Sequence, residues 1–147
     1  MSEKQYIIFN LEKEQYAVDI MNVQEISEYT TPTPIPDSYD FIEGVINLRG
    51  GIIPVINLKK RMSILSEKNS TSNRIIIINI GTSQIGVVVD EASQVLTFDS
   101  DEIKSTPSTL ENSEKKLISG IGNSNDRIVM FVDFNRILEE DDLKSLV

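Results

Sequence analysis

The chain alternates short apolar runs with polar turns along most of its length. Apolar runs at residues 6–11 and 16–20 flank a polar turn, a pattern typical of a β-hairpin. Further hairpins are predicted within residues 41–58, 74–89 and 117–134. The pattern predicts about ten short strands, as in a β-sandwich or β-barrel.

Some segments depart from this strand pattern. Ile20, Val23 and Ile26 are spaced three residues apart, which predicts a short helical turn followed by a strand. Three prolines within residues 31–38 remove backbone donors and favour extended conformations, so an extended loop is predicted there. A helical turn is also predicted at residues 59–65, and an acidic C-terminal helix at 135–146.

The two halves of the chain, divided near Arg74, are loosely similar. Each half ends in a predicted hairpin whose second strand is an apolar run closed by Asn or Asp, at residues 54–57 and 129–133. About ten strands exceed the roughly five of a single small barrel, so two packed barrels and one large sandwich are the architectures to consider. The similarity of the halves favours two barrels.

Composition supports a mainly β fold. The chain contains 22 Ile and 11 Val against 10 Leu and 2 Ala. Residues branched at Cβ suit strands, and the scarcity of Ala and Leu disfavours a helical bundle. With 147 residues, 39% of them hydrophobic, the chain can bury a core of its own.

The sequence contains no His, no Cys and no Trp. Thiolate and imidazole nucleophiles, the usual zinc and haem ligands and a phosphoaccepting His are therefore excluded. A net charge of −9 disfavours nucleic acid as a partner. The first residues lack the basic and apolar segments of a signal peptide, and no apolar run could span a bilayer, so a cytoplasmic protein is expected.

Candidate sites for catalysis or metal binding are weak. Asp90 follows a predicted strand, but no His or Lys lies near it in the sequence to act as an acid–base partner. The acidic segment from Asp99 starts like a calcium loop, but Lys104 and Leu110 occupy the positions that need Gly and Glu. No metal, no cofactor and no enzymatic activity are predicted.

Arg49 and the triplet Ile20, Val23 and Ile26 each allow two interpretations. Arg49 lies at a glycine-containing turn and could cap loop carbonyls, or it could be held by a carboxylate and presented to a partner. The triplet could pack in the core, or it could bind a partner helix as an exposed apolar stripe.

Several sequence blocks occur together in a recognisable order. Gly-Val-Ile-Asn-Leu-Arg-Gly at residues 44–50 precedes Ile-Ile-Pro-Val-Ile-Asn-Leu at 52–58. Val-Gln-Glu-Ile at 23–26 and Gly-Val-Val-Val-Asp at 86–90 flank them, and the opening hairpin fits the same order. Together these blocks resemble the CheW family of bacterial chemotaxis coupling proteins, over roughly residues 4–142.

The resemblance implies a CheW-like fold of two packed five-stranded SH3-like β-barrels with short helices and a C-terminal helix. It implies a single domain over residues 4–142, in which the first strand crosses into the second barrel. The implied subdomains are residues 14–79, and residues 4–13 together with 80–147.

The resemblance also implies a non-enzymatic adaptor. Members of the family join the cytoplasmic tip of a methyl-accepting chemoreceptor, a helical hairpin, to the regulatory domain of the histidine kinase CheA. A protein of this kind is cytoplasmic and reaches membrane receptor arrays through its partners.

Two sets of site residues follow from the resemblance. The implied receptor-binding groove between the barrels includes Arg49 and apolar residues, namely Ile7, Ile20, Val23, Ile26 and Ala92. A salt bridge between Glu25 and Arg49 is expected to hold the turn in place. Kinase contact is expected through the proline-rich loop and the second barrel, at Ile35, Phe41, Gly44 and Leu110.

Two alternatives stay open at this point. A related protein fuses this domain to a phosphoacceptor receiver, but a chain ending at Val147 has no room for one, so a stand-alone coupler is expected. The rival from another class is a small-molecule-binding or carboxylate-based hydrolytic β-barrel that uses Asp90 or Asp133. An open apolar groove would favour the adaptor, and a closed cavity with converging carboxylates would favour the enzyme.

Overall fold

A computed structural model describes residues 2–66, 72–106 and 117–137. Within these ranges the chain is mainly β. The strands are β1 (Glu3–Leu11), β2 (Glu14–Asp19), β3 (Val23–Glu28), β4 (Ile42–Leu48), β5 (Gly51–Asn57), β6 (Arg74–Ile80), β7 (Ser83–Val89), β8 (Glu91–Asp99), β9 (Lys104–Ser105), β10 (Ile118–Ser124) and β11 (Arg127–Val132). One short helix, α1 (Leu58–Arg61), follows β5, and 3-10 helices lie at Ile20–Asn22, Ser100–Glu102 and Phe134–Arg136.

The strands form two sheets. One has six strands in the order β8-β1-β2-β11-β10-β9, and the other has five in the order β3-β6-β7-β5-β4. Hairpin neighbours pair antiparallel, whereas β2 pairs with β11, and β5 with β7, in parallel. The predicted mainly β fold is confirmed, and where two five-stranded units were expected the structure has one sheet of five strands and one of six. The sixth strand of the larger sheet, β9, has only two residues and pairs with β10 at the edge.

The two halves of the chain exchange their first hairpins. The hairpin β1–β2 belongs to the sheet of β8–β11, and the hairpin β6–β7 belongs to the sheet of β3–β5. Each half therefore runs in the same order: a hairpin, a crossing to the other sheet, an edge strand and a second hairpin. The crossings lie at Asp19–Ile20 and at Asp90. Sheet membership changes near residues 20 and 90, not at the expected subdomain limits, and the division into subdomains stays a prediction.

The largest core cluster lies between the two sheets. It includes Phe9 and Val18 from one sheet and Ile76 and Val87 from the other, all buried. Each sheet has a second, smaller cluster on its other face. Because side chains alternate along a strand, the run of four isoleucines at residues 75–78 supplies both cores of the five-stranded sheet.

Two local features need explanation. Pro54 lies in β5, an inner strand between β4 and β7, where proline is uncommon. It is tolerated because parallel pairing with β7 begins only at Val55, so no ladder bond to β7 is lost at Pro54. A C-terminal helix was predicted at 135–146; the structure has a 3-10 helix at Phe134–Arg136, and the residues from 138 onward lie outside the described ranges.

Candidate functional site

Edge strands β3 and β8 expose apolar residues on the face that packs between the sheets. Ile26 pairs with Ile76, and Val95 pairs with Ile7, and both partners are buried in the shared core. Directly paired residues share a face. Nevertheless Ile26 is 38% exposed and Val95 is 49% exposed. The core between the sheets is therefore open to solvent along these two strands.

We call this region the inter-sheet surface. It consists of the apolar residues that β3, β8 and the adjoining 3-10 helix place beside the shared core, namely Ile20, Met21, Val23, Ile26, Ala92 and Val95. Three of its members, Ile20, Val23 and Ala92, are partly buried against that core.

A β-bulge explains the three-residue spacing in this region. Val23 pairs with Ile78 and Ile26 with Ile76, so β3 has one more residue between the two pairs than β6 has. Since Ile76 and Ile78 share a face, Val23 and Ile26 share it too. On β8 a matching register shift places Ala92 opposite Phe9 and Val95 opposite Ile7. The predicted order of a short helical turn and then a strand agrees with the 3-10 helix and β3.

The structure places the receptor-site candidates at different depths. Ile7 is only 5% exposed and lies in the core, where it pairs with Val95. It therefore packs beneath the inter-sheet surface and is not itself part of the exposed surface. Met21 and Val95 were not predicted. Met21 is the more exposed of the two, at 83%, and lies in the 3-10 helix between the sheets. Met21 could have been noticed as a large apolar residue next to Ile20, but it does not fit the three-residue spacing. Val95 could not, because the register shift in β8 breaks the alternation of inward and outward side chains.

Arg49 lies in a two-residue turn between β4 and β5. Its φ is 50° and that of Gly50 is 83°, so both turn residues are left-handed, as the twist of a tight hairpin requires. Asn, Asp and Gly normally fill such positions, and Arg there is unusual. The Arg49 side chain is 72% exposed.

The expected salt bridge between Glu25 and Arg49 is present. Arg49 Nη1 donates to Glu25 Oε1, and Arg49 Nη2 donates to Glu25 Oε2 at 2.8 Å, so the contact is bidentate. Hydrogen bonding from Arg49 is the main reason that the pKa of Glu25 is lowered. Since the arginine is largely solvated, the bridge contributes orientation more than stability.

The salt bridge belongs to a set of contacts between the two edges of the five-stranded sheet. Glu25 is on edge strand β3, and Arg49 follows edge strand β4. Beyond β3, the Tyr29 hydroxyl donates to Glu43 Oε1 at 2.9 Å. Burial, and then this hydrogen bond, raises the pKa of Tyr29 to about 12. The chain next pairs with β4 through Thr33, so β3 and β4 are joined as the edges of a closed barrel would be.

The candidates for kinase contact have different environments. Ile35 is exposed, and Phe41 stacks on Tyr39 with ring centroids 5.4 Å apart. The Arg61 guanidinium carbon lies 5.5 Å from the Phe41 ring centroid. Gly44 is buried, and a Cβ there would lie 2.0 Å from the carbonyl oxygen of Thr33. Gly44 therefore allows the loop to approach β4 and offers no side-chain contact. Leu110 lies outside the described residues.

The two carboxylates of the hydrolase alternative have separate structural contacts. Asp90 is buried and accepts the backbone N–H of Glu12 at 2.6 Å. Asp133 caps the 3-10 helix by accepting the N–H of Asn135 at 3.0 Å, and it pairs with Arg136. An open cleft of about 280 Å³ includes Asp133 in its lining but not Asp90. These two carboxylates do not converge on that cleft.

Comparison with known proteins agrees with the sequence blocks and the sheet order. A model of the CheW-like domain matches residues 5–142. The chain belongs to the CheW family. Chemotaxis protein CheW of Bacillus subtilis is 33% identical over 96% of this chain and 90% of its own length. Chemotaxis protein CheW of Klebsiella aerogenes is 32% identical over 95% of this chain and 84% of its own length.

A solved structure extends the CheW likeness to the fold. The crystal structure of the scaffolding protein TtCheW from Thermoanaerobacter tengcongensis superposes with a TM-score of 0.87. The two proteins are 34% identical, and the match covers 96% of each chain. The resemblance inferred from sequence is confirmed, and the chain is a chemotaxis coupling adaptor of the CheW family.

Proposed function

We propose that this adaptor holds the cytoplasmic tip of a methyl-accepting chemoreceptor against the regulatory domain of the histidine kinase CheA, and that it catalyses no reaction. The observation that carries the proposal is the inter-sheet surface, where two bulged edge strands expose residues of the shared core. Exposed apolar side chains rimmed by polar residues are typical of protein-binding surfaces.

The inter-sheet surface suits the helices of a receptor tip. A helix that enters an apolar groove buries one side chain every three or four residues, and Met21, Ile26 and Val95 offer separate apolar contacts for it. Each aliphatic side chain that becomes fully buried contributes about 1.5–3 kcal/mol before ordering costs are subtracted. Ile20, Val23 and Ala92 lie lower, against the core, and shape the floor.

Arg49 adds a polar contact to this binding mode. Glu25 occupies one side of the guanidinium through the bidentate bridge and fixes its orientation. The remaining N–H donors point to solvent and are available to carbonyl or carboxylate groups of the receptor tip. The bridge therefore orients Arg49 for binding, while the apolar residues supply most of the affinity.

The kinase surface of this proposal lies mainly in the connection between β3 and β4. Ile35 and the stacked pair Tyr39 and Phe41 supply apolar contact area, and Arg61 covers Phe41. Gly44 acts indirectly, because its lack of a side chain sets the position of the proline-rich loop. Leu110 stays a predicted second contact.

The adaptor acts in the cytoplasm and reaches the membrane through the receptor. In residues 2–66, 72–106 and 117–137 there is no helix of the length and apolarity needed to cross a membrane. Recruitment by a bound receptor array is the simplest route for a protein of this family.

Co-sedimentation with a receptor signalling fragment and a purified kinase regulatory domain tests the proposal. We expect the wild type to bind both and Ile26→Asp to lose the receptor fragment while keeping the kinase domain. Ile128→Asp is the matched control, because Ile128 is also exposed but lies on β11, outside the inter-sheet surface. Binding of the receptor by Ile26→Asp at the wild-type level would contradict the proposed site, and failure of the wild type to bind either partner would contradict the function.

A further inference from the structure

A buried ion cluster joins the two sheets at the second crossing. Lys59 Nζ lies 2.9 Å from Glu12 Oε1 and 2.9 Å from Asp90 Oδ1. Glu12 belongs to the β1–β2 turn of the six-stranded sheet, and Lys59 lies in α1 directly after β5 of the other sheet. Asp90 is the single residue between β7 and β8. The cluster therefore links both sheets and the chain that passes between them.

The cluster is buried, and hydrogen bonds from its surroundings hold its side chains in place. Lys59 is 8% exposed and Asp90 is 3% exposed. Asp90 also accepts the N–H of Glu12 through its second oxygen, and its own N–H donates to the Asn10 carbonyl at 3.0 Å. Burial disfavours the charge on Lys59, but hydrogen bonds to Glu12 and Asp90 outweigh it and raise the pKa of Lys59. A buried charge of this kind resists any rearrangement that would leave it unpaired.

The position of this cluster connects it to the inter-sheet surface. Asp90 immediately precedes β8, and Ala92 of that surface follows two residues later. A shift of Asp90 relative to Lys59 would therefore displace β8 relative to the five-stranded sheet, which contains β3. The contact therefore restrains the start of β8 relative to α1 and β5.

We propose that Lys59 is a positioning residue for partner binding: by holding Asp90 and Glu12 it fixes the two sheets relative to each other and preserves the shape of the inter-sheet surface. The inference rests on the proposed receptor site for its functional consequence, but the arrangement of the sheets can be measured without any receptor. Lys59 itself touches no partner.

Binding by Lys59→Met tests the functional consequence, since methionine keeps the length and removes the charge. We expect the dissociation constant for the receptor fragment to rise about tenfold, while that for the kinase regulatory domain stays within about twofold. Lys60→Met is the matched control, because Lys60 is exposed and pairs only loosely with Asp40. Lys59→Arg should retain receptor binding. If Lys59→Met does not fold, Asp90→Asn takes its place with the same expectation.

Spin-label distances test the arrangement directly. The chain has no cysteine, so Thr82→Cys in the turn between β6 and β7 and Thr97→Cys on β8 provide two unique labelling sites, both exposed. We expect a narrow distance distribution with Lys59 and a broadened or displaced one with Lys59→Met. An unchanged distribution, or unchanged receptor affinity in a folded Lys59→Met, would overturn the inference. If the wild type bound no receptor, the proposed function would fail, and the label distances would still decide whether Lys59 sets the arrangement.

Discussion

The chain crosses between its sheets twice, and the two crossings are held by different contacts. At the second, Asp90 is buried and bonded to Lys59 and to the N–H of Glu12. At the first, Asp19 caps the 3-10 helix by accepting the N–H of Met21 at 2.9 Å, and its ion pair with Lys4 spans 3.6 Å. Asp19 and Lys4 also line the open cleft.

This difference gives the two crossings different roles. The buried crossing at Asp90 restrains the sheets, because moving it would leave charges unpaired in the interior. The solvated crossing at Asp19 tolerates a short turn that presents Met21 to solvent. We therefore expect the crossing at Asp90 to restrain the proposed binding surface and the crossing at Asp19 to expose part of it.

The two crossings should differ most in how much their ion pairs contribute to the free energy of unfolding. Lys59→Met should lower the free energy of unfolding by about 3 kcal/mol, because it leaves Asp90 and Glu12 without their buried cation. Lys4→Met should change it by less than about 0.5 kcal/mol, since the Lys4 pair is long and solvated. Urea denaturation of the two variants measures both values. Equal losses would remove the distinction between the crossings.

The second hairpins of the two halves give a smaller contrast. Gly44 and Gly120 each follow a register shift, in β4 and β10 respectively. Gly44 has a φ of 140° and faces the Thr33 carbonyl, whereas the first contact of a Cβ at Gly120 would be the Ile103 side chain. Gly44→Ala should therefore cost about 2 kcal/mol of unfolding free energy, and Gly120→Ala should cost less because a side chain can move. A smaller loss for Gly44→Ala in the same denaturation assay would be inconsistent with this account.

Arg49→Ala should have little effect on stability and a strong effect on coupling. The Arg49 side chain is mostly solvated, so the thermal unfolding midpoint should stay close to that of the wild type. Receptor-dependent activation of the kinase should fall, because the oriented guanidinium is lost. Arg49→Lys is the control, since it keeps the charge but not the bidentate geometry. Normal activation by Arg49→Ala would rule out a role for Arg49 in binding.

The smallest expected effect is a loss of stability in alkaline solution, caused by ionisation of Tyr29 beyond the end of β3. Beyond β3, Tyr29 donates to Glu43, whereas near the end of β8 Phe98 packs against Phe131 with ring centroids 5.0 Å apart. The pKa of Tyr29 is about 12 in the folded protein against an ordinary value of 10.0. Burial and this hydrogen bond together favour the protonated hydroxyl in the folded protein, so the stabilisation they give is complete below pH 10.0 and is lost as the pH rises towards 12.

Ultraviolet titration of the tyrosine phenolates measures this effect. Tyr29→Phe should remove the most basic transition, and Glu43→Gln should lower the pKa of Tyr29, because a neutral amide oxygen accepts the hydroxyl hydrogen more weakly and does not repel the phenolate. An unchanged titration curve for Glu43→Gln would show that the hydrogen bond does not shift the pKa.

The sequence was sufficient for the hairpins, because their apolar runs and turn residues are local. It was also sufficient for the pairing of Glu25 with Arg49, once the family blocks were recognised. The sequence near Val23 and Ile26 could not show that a bulge causes their three-residue spacing, because a bulge is defined by the pairing with partner strand β6. For the same reason Val95 was missed, and Lys59 was not connected with Asp90, which lies 31 positions further along the chain.

Other features could not be predicted from local sequence because they depend on contacts between distant parts of the chain. The burial of Gly44 depends on the approach of Thr33, a contact made by a loop that has no periodic pattern. The exchange of the first hairpins depends on pairing between distant strands, and the family resemblance indicated only that the first strand crosses into the second barrel. Leu110 lies outside the described residues, so its expected role stays a prediction.

Site-specific disulfide crosslinking between Val95→Cys and a cysteine at the receptor tip tests most directly whether the inter-sheet surface receives the receptor. Because the chain has no other cysteine, each crosslink has a single possible origin. We predict efficient crosslinking for Val95→Cys and for Met21→Cys, and none for Ile128→Cys on β11. Crosslinking at Ile128→Cys without any at Val95→Cys or Met21→Cys would contradict the account.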